Sequence, residues 1–169
     1  MEGNARLDPT GAPGFTTMQA TALVLLRIFI GWHLLYEGLV KAFNPYWTAG
    51  PYLAESKWIF KGIFTWMADH QTILTIVDFL NQWGLIVIGL CLILGLLSKP
   101  MALAGMILVL SYYLANPPFL AYRFTMPTEG SYLIVNKNLI EATALFVLAL
   151  FPTGRIVGLD RLRSLKQAG

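Results

Sequence analysis

The sequence predicts an all-α membrane protein, a four-transmembrane-helix bundle with an interfacial amphipathic helix between the first and second spans. Three observations predict it. Of the 169 residues, 56% are hydrophobic and only 12% are charged, roughly half the charged share of a soluble domain. Long apolar runs recur along the chain, each closed by Pro, Gly or Asn. The first of these runs, LLRIFIGWHLLYEGLVK from Leu25 to Lys41, carries Arg27, His33, Glu37 and Lys41. At about 100° per residue these four fall within an arc of about 120°, and the rest of the helix surface is apolar. Such a helix needs neighbours that cover its polar stripe.

Charge and cysteine narrow the class further. A net charge of +3 in a chain of mean hydropathy +0.61 marks membrane orientation rather than nucleic-acid binding. The single cysteine, Cys91, sits inside WGLIVIGLCLILGLL and reads as a small hydrophobe. One cysteine forms no intramolecular disulfide, which excludes a paired-cysteine relay from thiols to quinone.

Residues 1–16, MEGNARLDPTGAPGFT, are polar and rich in Gly and Pro, and are expected to form a flexible tail rather than a signal peptide. Thr16 or Thr17 is placed to cap the first span, about 18–43, and Asn44-Pro45 ends it. Residues 46–72 alternate aromatic and charged side chains. Trp58, Ile59, Phe60, Ile63, Phe64 and Met67 gather towards one side of a short helix, with Lys57 and Lys61 on another. This is the predicted interfacial helix.

The second span covers about 73–97 and ends at Ser98-Lys99-Pro100. The third, about 101–115, follows so closely that the two form an antiparallel hairpin. It is short for a span, so it either extends through Pro100 or stands unusually upright. Asn116-Pro117-Pro118 ends it, and a second aromatic segment leads to the fourth span, about 133–151. The bundle as a unit covers 17–153, and a basic tail, 154–169, closes the chain.

With four spans both termini share a side. That side holds Arg6, Lys99, Arg155, Arg161, Arg163 and Lys166, against Lys57, Lys61, Arg123 and Lys137 on the other. The bias places both termini of this multi-pass protein in the cytoplasm. The opposite end then collects His33, Glu37 and Lys41 from the first span, Asp78, Asn81 and Gln82 from the second, Tyr112, Tyr113 and Asn116 from the third, and Asn136, Lys137, Asn138 and Glu141 from the fourth. Two carboxylates and two amines at similar depth offset, by pairing, an insertion cost of about 2.5–3.5 kcal/mol each.

The expectation is a polar pocket in the outer half of the bundle, with Arg27, His33, Glu37, Lys41, Asp78, Gln82, Asn138 and Glu141 as its candidates. Arg27 lies about 15 Å deeper than Glu37, and Glu141 is the partner offered for it. No His, Cys or carboxylate spacing matches a metal site, and two histidines so placed do not form a haem pair. Tyr112, Tyr113 and Tyr132 read as interface anchors. Gly31, Gly38, Gly84, Gly89, Gly95 and Gly105 read as sites of close helix packing.

LRIFIGWHLLYEGLVK, with its Arg, Gly and Gly-x-x-Lys, the hairpin GLCLILGLLSKPMALAGM, and NKNLIEATALFVLALFPTGRIVGLDRL, with its closing Gly-Leu-Asp, together resemble the DoxX family of small four-helix bacterial membrane proteins. The likeness covers about 18–162. Where the family often has His before the outer Gly of the first span, this chain has Glu37. The resemblance implies the four-helix fold and an association with membrane redox systems, since the family takes its name from a subunit of a terminal quinol oxidase and thiosulfate:quinone oxidoreductase.

Two functional readings stand side by side. In one, the polar cluster receives a quinone headgroup and exchanges its protons, as a subunit of a redox system, with no covalently bound cofactor. In the other, the buried ion pairs are structural and the protein is a scaffold or chaperone for a partner protein or a second copy of itself. Transport is the weaker third, because four helices without an internal repeat leave little room for alternating access. Beyond the lipid bilayer, a protein partner or homo-oligomer is expected, and no nucleic acid.

Overall fold

The structure is a computed structural model that describes residues 14–119 and 133–161. Every regular element among the described residues is a helix, with no strand. Helix α1 spans Thr17–Phe43 and begins in a capping box, in which Thr16 Oγ1 accepts from the Gln19 amide and the Gln19 side chain accepts from the Thr16 amide. Asn44, in extended backbone, ends it as expected.

The segment that follows holds two short helices, α2 (Gly50–Ala54) and α3 (Lys61–Asp69). Trp58, Ile59 and Phe60, expected inside one amphipathic helix, precede α3 in a turn. Of the apolar side chains on α3, Phe64 and Met67 pack inwards on Leu53 and Leu74, while Ile63 and Trp66 stay exposed.

Helices α4 (Gln71–Leu94) and α5 (Ser98–Ala115) form the hairpin. α5 extends through Pro100, which sits in its first turn, where a missing amide donor costs nothing. The turn between them uses two left-handed residues, Gly95 (φ 64°) and Leu97 (φ 50°). Helix α6 (Lys137–Leu150) starts at Asn136, whose side chain accepts from the Leu139 amide. After it, one 3-10 turn, Thr153–Arg155, begins a return loop.

Among the described residues three helices, α1, α4 and α5, are long and apolar enough to cross a membrane. Only 33% of the most apolar window of each is buried, and the remainder shows Phe29, Trp32, Val40, Phe79, Trp83, Val87, Leu90 and Ile107 to the surroundings. Exposed apolar surface of that extent, on helices that satisfy their own backbone, belongs in a bilayer. Helix α6, 14 residues long, reaches about 21 Å.

Packing is pairwise, α1 along α4 and α5 along α6, with α4 and α5 adjoining. The core between them is aliphatic: Leu34, Leu85, Leu92, Val109, Leu145 and Leu148. Close approach of α1 and α4 depends on Gly31, Gly38 and Gly89. A Cβ on Gly89 would lie 2.5 Å from the Leu35 amide nitrogen and 2.6 Å from the Gly31 carbonyl oxygen. Gly84, expected in the same role, faces nothing within 4 Å, and Gly95 serves as the left-handed cap of α4 instead.

Candidate functional site

The four long helices run so that α1 begins, α4 ends, α5 begins and α6 ends at one end of the bundle, here the near end. Each end holds a polar cluster, and they differ in character.

Arg27 belongs to the near end. It is 2% exposed. Its Nη1 donates to Thr153 Oγ1 at 3.0 Å and its Nη2 to the Val157 carbonyl at 2.7 Å. The proposed pairing with Glu141 is therefore replaced by a return loop that reaches back from the end of α6. Residues 154–161, expected to open a basic tail, fold onto the α4–α5 turn. The Asp160 carboxylate accepts from the Leu97 amide at 2.7 Å and from the Ser98 amide and hydroxyl, each at 2.9 Å.

That carboxylate caps the N-terminus of α5, where the helix dipole favours negative charge, and it interacts through space with Arg27. The Leu159 and Asp160 amides donate to the Leu94 and Gly95 carbonyls. Gly158 lies against Gly95, where a Cβ would come within 2.7 Å of the Gly158 Cα.

At the far end Lys41 Nζ donates to Glu37 Oε2 at 2.8 Å. The ammonium also lies 5.8 Å from the Trp47 ring centroid and 5.9 Å from that of Tyr112, within cation–π range. From α6, Glu141 Oε1 sits 3.9 Å from His33 Nδ1, too far for a hydrogen bond. That oxygen is buried and makes no hydrogen bond. His33, Glu37, Lys41, Lys137 and Glu141 act on one another electrostatically. The stripe on α1 is unevenly covered: the His33 and Glu37 side chains are 42% and 44% exposed and Lys41 16%, while Glu141 on α6 is 13% exposed.

The other candidates separate. Asp78 turns away to α2, where its Oδ1 accepts from the Ala49 amide at 2.8 Å and ties the start of that helix to α4. Asp78→Ala is expected to loosen the 44–60 segment by about 2 kcal/mol, the worth of a charge-assisted bond; limited proteolysis should then cut there faster while the bundle stays intact. Gln82 and Asn138 are half-buried and make no hydrogen bond among the described residues.

The eight pocket candidates do not include Tyr52, Tyr112 and Asn116, which the fold gathers beside Lys41. The Tyr52 hydroxyl donates to the Tyr112 carbonyl at 2.8 Å, and their rings meet edge to face with centroids 6.4 Å apart. Burial pushes the Tyr52 phenol up to about 12, so it remains a neutral donor. Asn116 Nδ2 donates to the Tyr52 carbonyl at 3.1 Å.

Tyr113, read as an interface anchor, is buried, and its hydroxyl donates to the Ile134 carbonyl at 2.8 Å. Tyr112 also turns inward, with a buried hydroxyl; Tyr132 lies outside the described residues. Beside this group is a cavity of about 210 Å³ between α2, α3, α4 and α5. Among the described residues no three His, Cys, Asp or Glu side chains gather as a metal ion would require. His70 is distant in role, with Nδ1 on the Trp66 carbonyl.

The comparisons with known proteins fit this architecture. The family model for DoxX matches residues 22–117, from within α1 through the end of α5 and more than half of the chain. No curated protein and no solved structure matches. With that match over the first three spans and their Gly-mediated packing, the chain belongs to the DoxX family of integral membrane proteins.

Proposed function

We propose that the protein is a quinone-interacting subunit of a membrane redox system, with four spans, both termini in the cytoplasm and the far-end cluster in the outer half of the bacterial inner membrane. In this reading α6 is the fourth span, and α3 with the turn before it lies at the headgroups, its exposed Ile63 and Trp66 towards lipid. The observation that carries the reading is Glu141. It is a largely covered carboxylate with one oxygen unpaired, beside His33 and within the field of Lys41 and Lys137.

A quinone headgroup exchanges protons as it changes oxidation state and needs hydrogen-bond donors in a site that excludes water. Glu141 and His33 supply the proton-exchanging groups, and Lys41 a cationic donor. The single Cys91 makes no dithiol, so electrons reach the quinone from a partner protein.

The second reading, a scaffold without chemistry, is favoured by the near-end loop, where Arg27 and Asp160 hold helices in register. Extraction of the detergent-purified protein separates the two. Bound quinone is expected in the wild type and is expected to fall several-fold in Glu141→Gln and in Glu37→Gln while the thermal midpoint holds. A wild-type protein free of quinone that co-purifies with a second protein replaces this reading with the scaffold.

A further inference from the structure

We infer that the ring of the ligand occupies the cavity beside Asn81 and Tyr112, adjacent to the Glu37–Glu141 cluster, and that the cavity selects a single six-membered ring bearing an oxygen: a phenol, a hydroquinone or a benzoquinone. The quinone identity rests on the functional reading above; the cavity and its ring class do not.

The cavity is lined chiefly by apolar side chains, among them Leu53, Phe64, Met67, Val77, Leu80 and Leu108. Two polar side chains in the wall stand out. Asn81 is 7% exposed and the Tyr112 hydroxyl is buried; the two side chains interact with each other, but neither the Asn81 Oδ1 nor the Tyr112 hydroxyl completes a well-formed hydrogen bond. Other polar groups of the wall are committed, Ser111 to the Leu108 carbonyl and Tyr52 to the Tyr112 carbonyl. Buried polar groups are nearly always satisfied, so two that meet each other without completing a bond, on residues in the wall of one apolar cavity, mark the place of an absent partner.

An amide and a phenol both donate and accept, so together they suit a carbonyl or a hydroxyl on a ring. Size agrees. An apolar cavity of about 150 Å³ takes benzene, and drug-sized ligands need about 300 Å³ or more. At about 210 Å³ there is room for one substituted ring.

Two features tie the cavity to its surroundings. Leu80 belongs both to the wall and to the exposed surface of α4, so a ring carrying a long apolar tail enters from the bilayer and leaves the tail there. Tyr112 belongs both to the wall and to the charged cluster. Its ring meets Lys41, and it lies within the electrostatic reach of Glu37 and Glu141. A ring oxygen held by Tyr112 is thereby one side chain away from the carboxylates.

The test uses the full chain in detergent, with phenol and tetramethyl-1,4-benzoquinone as probes in ligand-observed NMR; the methyl groups prevent addition of thiols and amines. Saturable one-to-one binding of both rings is expected. Tyr112→Phe deletes a hydroxyl that completes no well-formed hydrogen bond and only approaches Asn81, so it keeps the wild-type thermal midpoint and weakens both rings about tenfold, the worth of one hydrogen bond. Val77→Phe fills the cavity and removes binding, and lipid-facing Ile107→Leu changes nothing.

Absence of saturable binding of either ring overturns the inference, as does binding indifferent to both cavity variants. If in that case Glu141→Gln removes the benzoquinone, the ring sits in the charged cluster and the functional reading stands without the cavity. Phenol bound at Tyr112 by a protein that carries no quinone supports the cavity and overturns the quinone reading.

Discussion

Gly89→Ala is expected to destabilise the bundle by about 3 kcal/mol or more, at the upper end of overpacking costs. The methyl group it adds meets main chain: the Leu35 nitrogen at 2.5 Å, the Gly31 oxygen at 2.6 Å and the Leu35 Cα at 2.8 Å. No rotamer change relieves contacts with backbone. The only remedy is for α1 and α4 to separate, and a gap of about 0.5–1 Å already forfeits a quarter to a half of each dispersion contact across the interface. In a bilayer that packing is the main force between helices, because lipid tails are as apolar as leucine.

Gly84→Ala on the same helix is the matched control. Its Cβ meets nothing within 4 Å, and Ala exceeds Gly in helix propensity by about 1 kcal/mol, so it is expected to be neutral or mildly stabilising. Unfolding in mixed detergent, followed by circular dichroism, reads both. Equal midpoints for the two variants would falsify the close-contact account.

The second large effect is at the near end. Asp160→Ala is expected to cost about 3 kcal/mol or more. It strips three donors, the Leu97 amide and the Ser98 amide and hydroxyl, and hydrogen bonds to a charged group contribute about 1.5–3 kcal/mol each. Relaxation of Leu97, whose left-handed backbone (φ 50°) costs about 1–2 kcal/mol in a residue with a side chain, offsets only part of that loss.

Arg27→Leu is expected to cost a similar amount, because the loop then loses both anchors that the guanidinium provides and Asp160 loses a nearby positive charge. The two changes share one structure. The double variant Arg27→Leu/Asp160→Ala should therefore fall short of the sum of the singles by about 1 kcal/mol or more. Strict additivity would show that the loop and the turn are held independently. Leu97→Gly, which removes the strain while keeping the amide, is expected to recover part of the loss in Asp160→Ala.

The local punctuation of the chain was legible without coordinates. Thr16 and Asn44-Pro45 mark helix ends through their own backbone and side-chain preferences, which act over three or four residues, whereas Ser98-Lys99-Pro100, read as the link after a span ending near 97, forms the first turn of α5, and α4 already ends at Leu94. The hairpin of α4 and α5 follows from a link too short for anything else. The meeting of Glu37 and Lys41 is an i,i+4 relation within one helix, and Glu141 comes near His33 because both were placed at the same depth on neighbouring helices.

Partner choice was not legible. The wheel of α1 shows that Arg27 faces a neighbour, but Thr153 lies 126 residues away, and the return of 153–160 across the α4–α5 turn follows from backbone geometry at Gly95, Gly154 and Gly158. Asp78 has the same depth as the far-end cluster, yet it answers the Ala49 amide, which became a buried donor only once α2 had folded beside α4. Asn81 and Tyr112 were visible as polar residues at the right end. That their polar atoms stay open beside an apolar cavity depends on how far apart α2, α3, α4 and α5 stand.

By itself the sequence determined the membrane class, the helix ends, the hairpin and the gathering of ionisable residues at one end, because each rests on hydropathy and on interactions a few residues long. Tertiary structure alone decided which of those residues are satisfied and which are left open. A hydrogen bond depends on distances of a few tenths of an ångström between segments far apart in the chain. Those distances are set by packing, above all where Gly31 and Gly89 let α1 and α4 touch backbone to backbone.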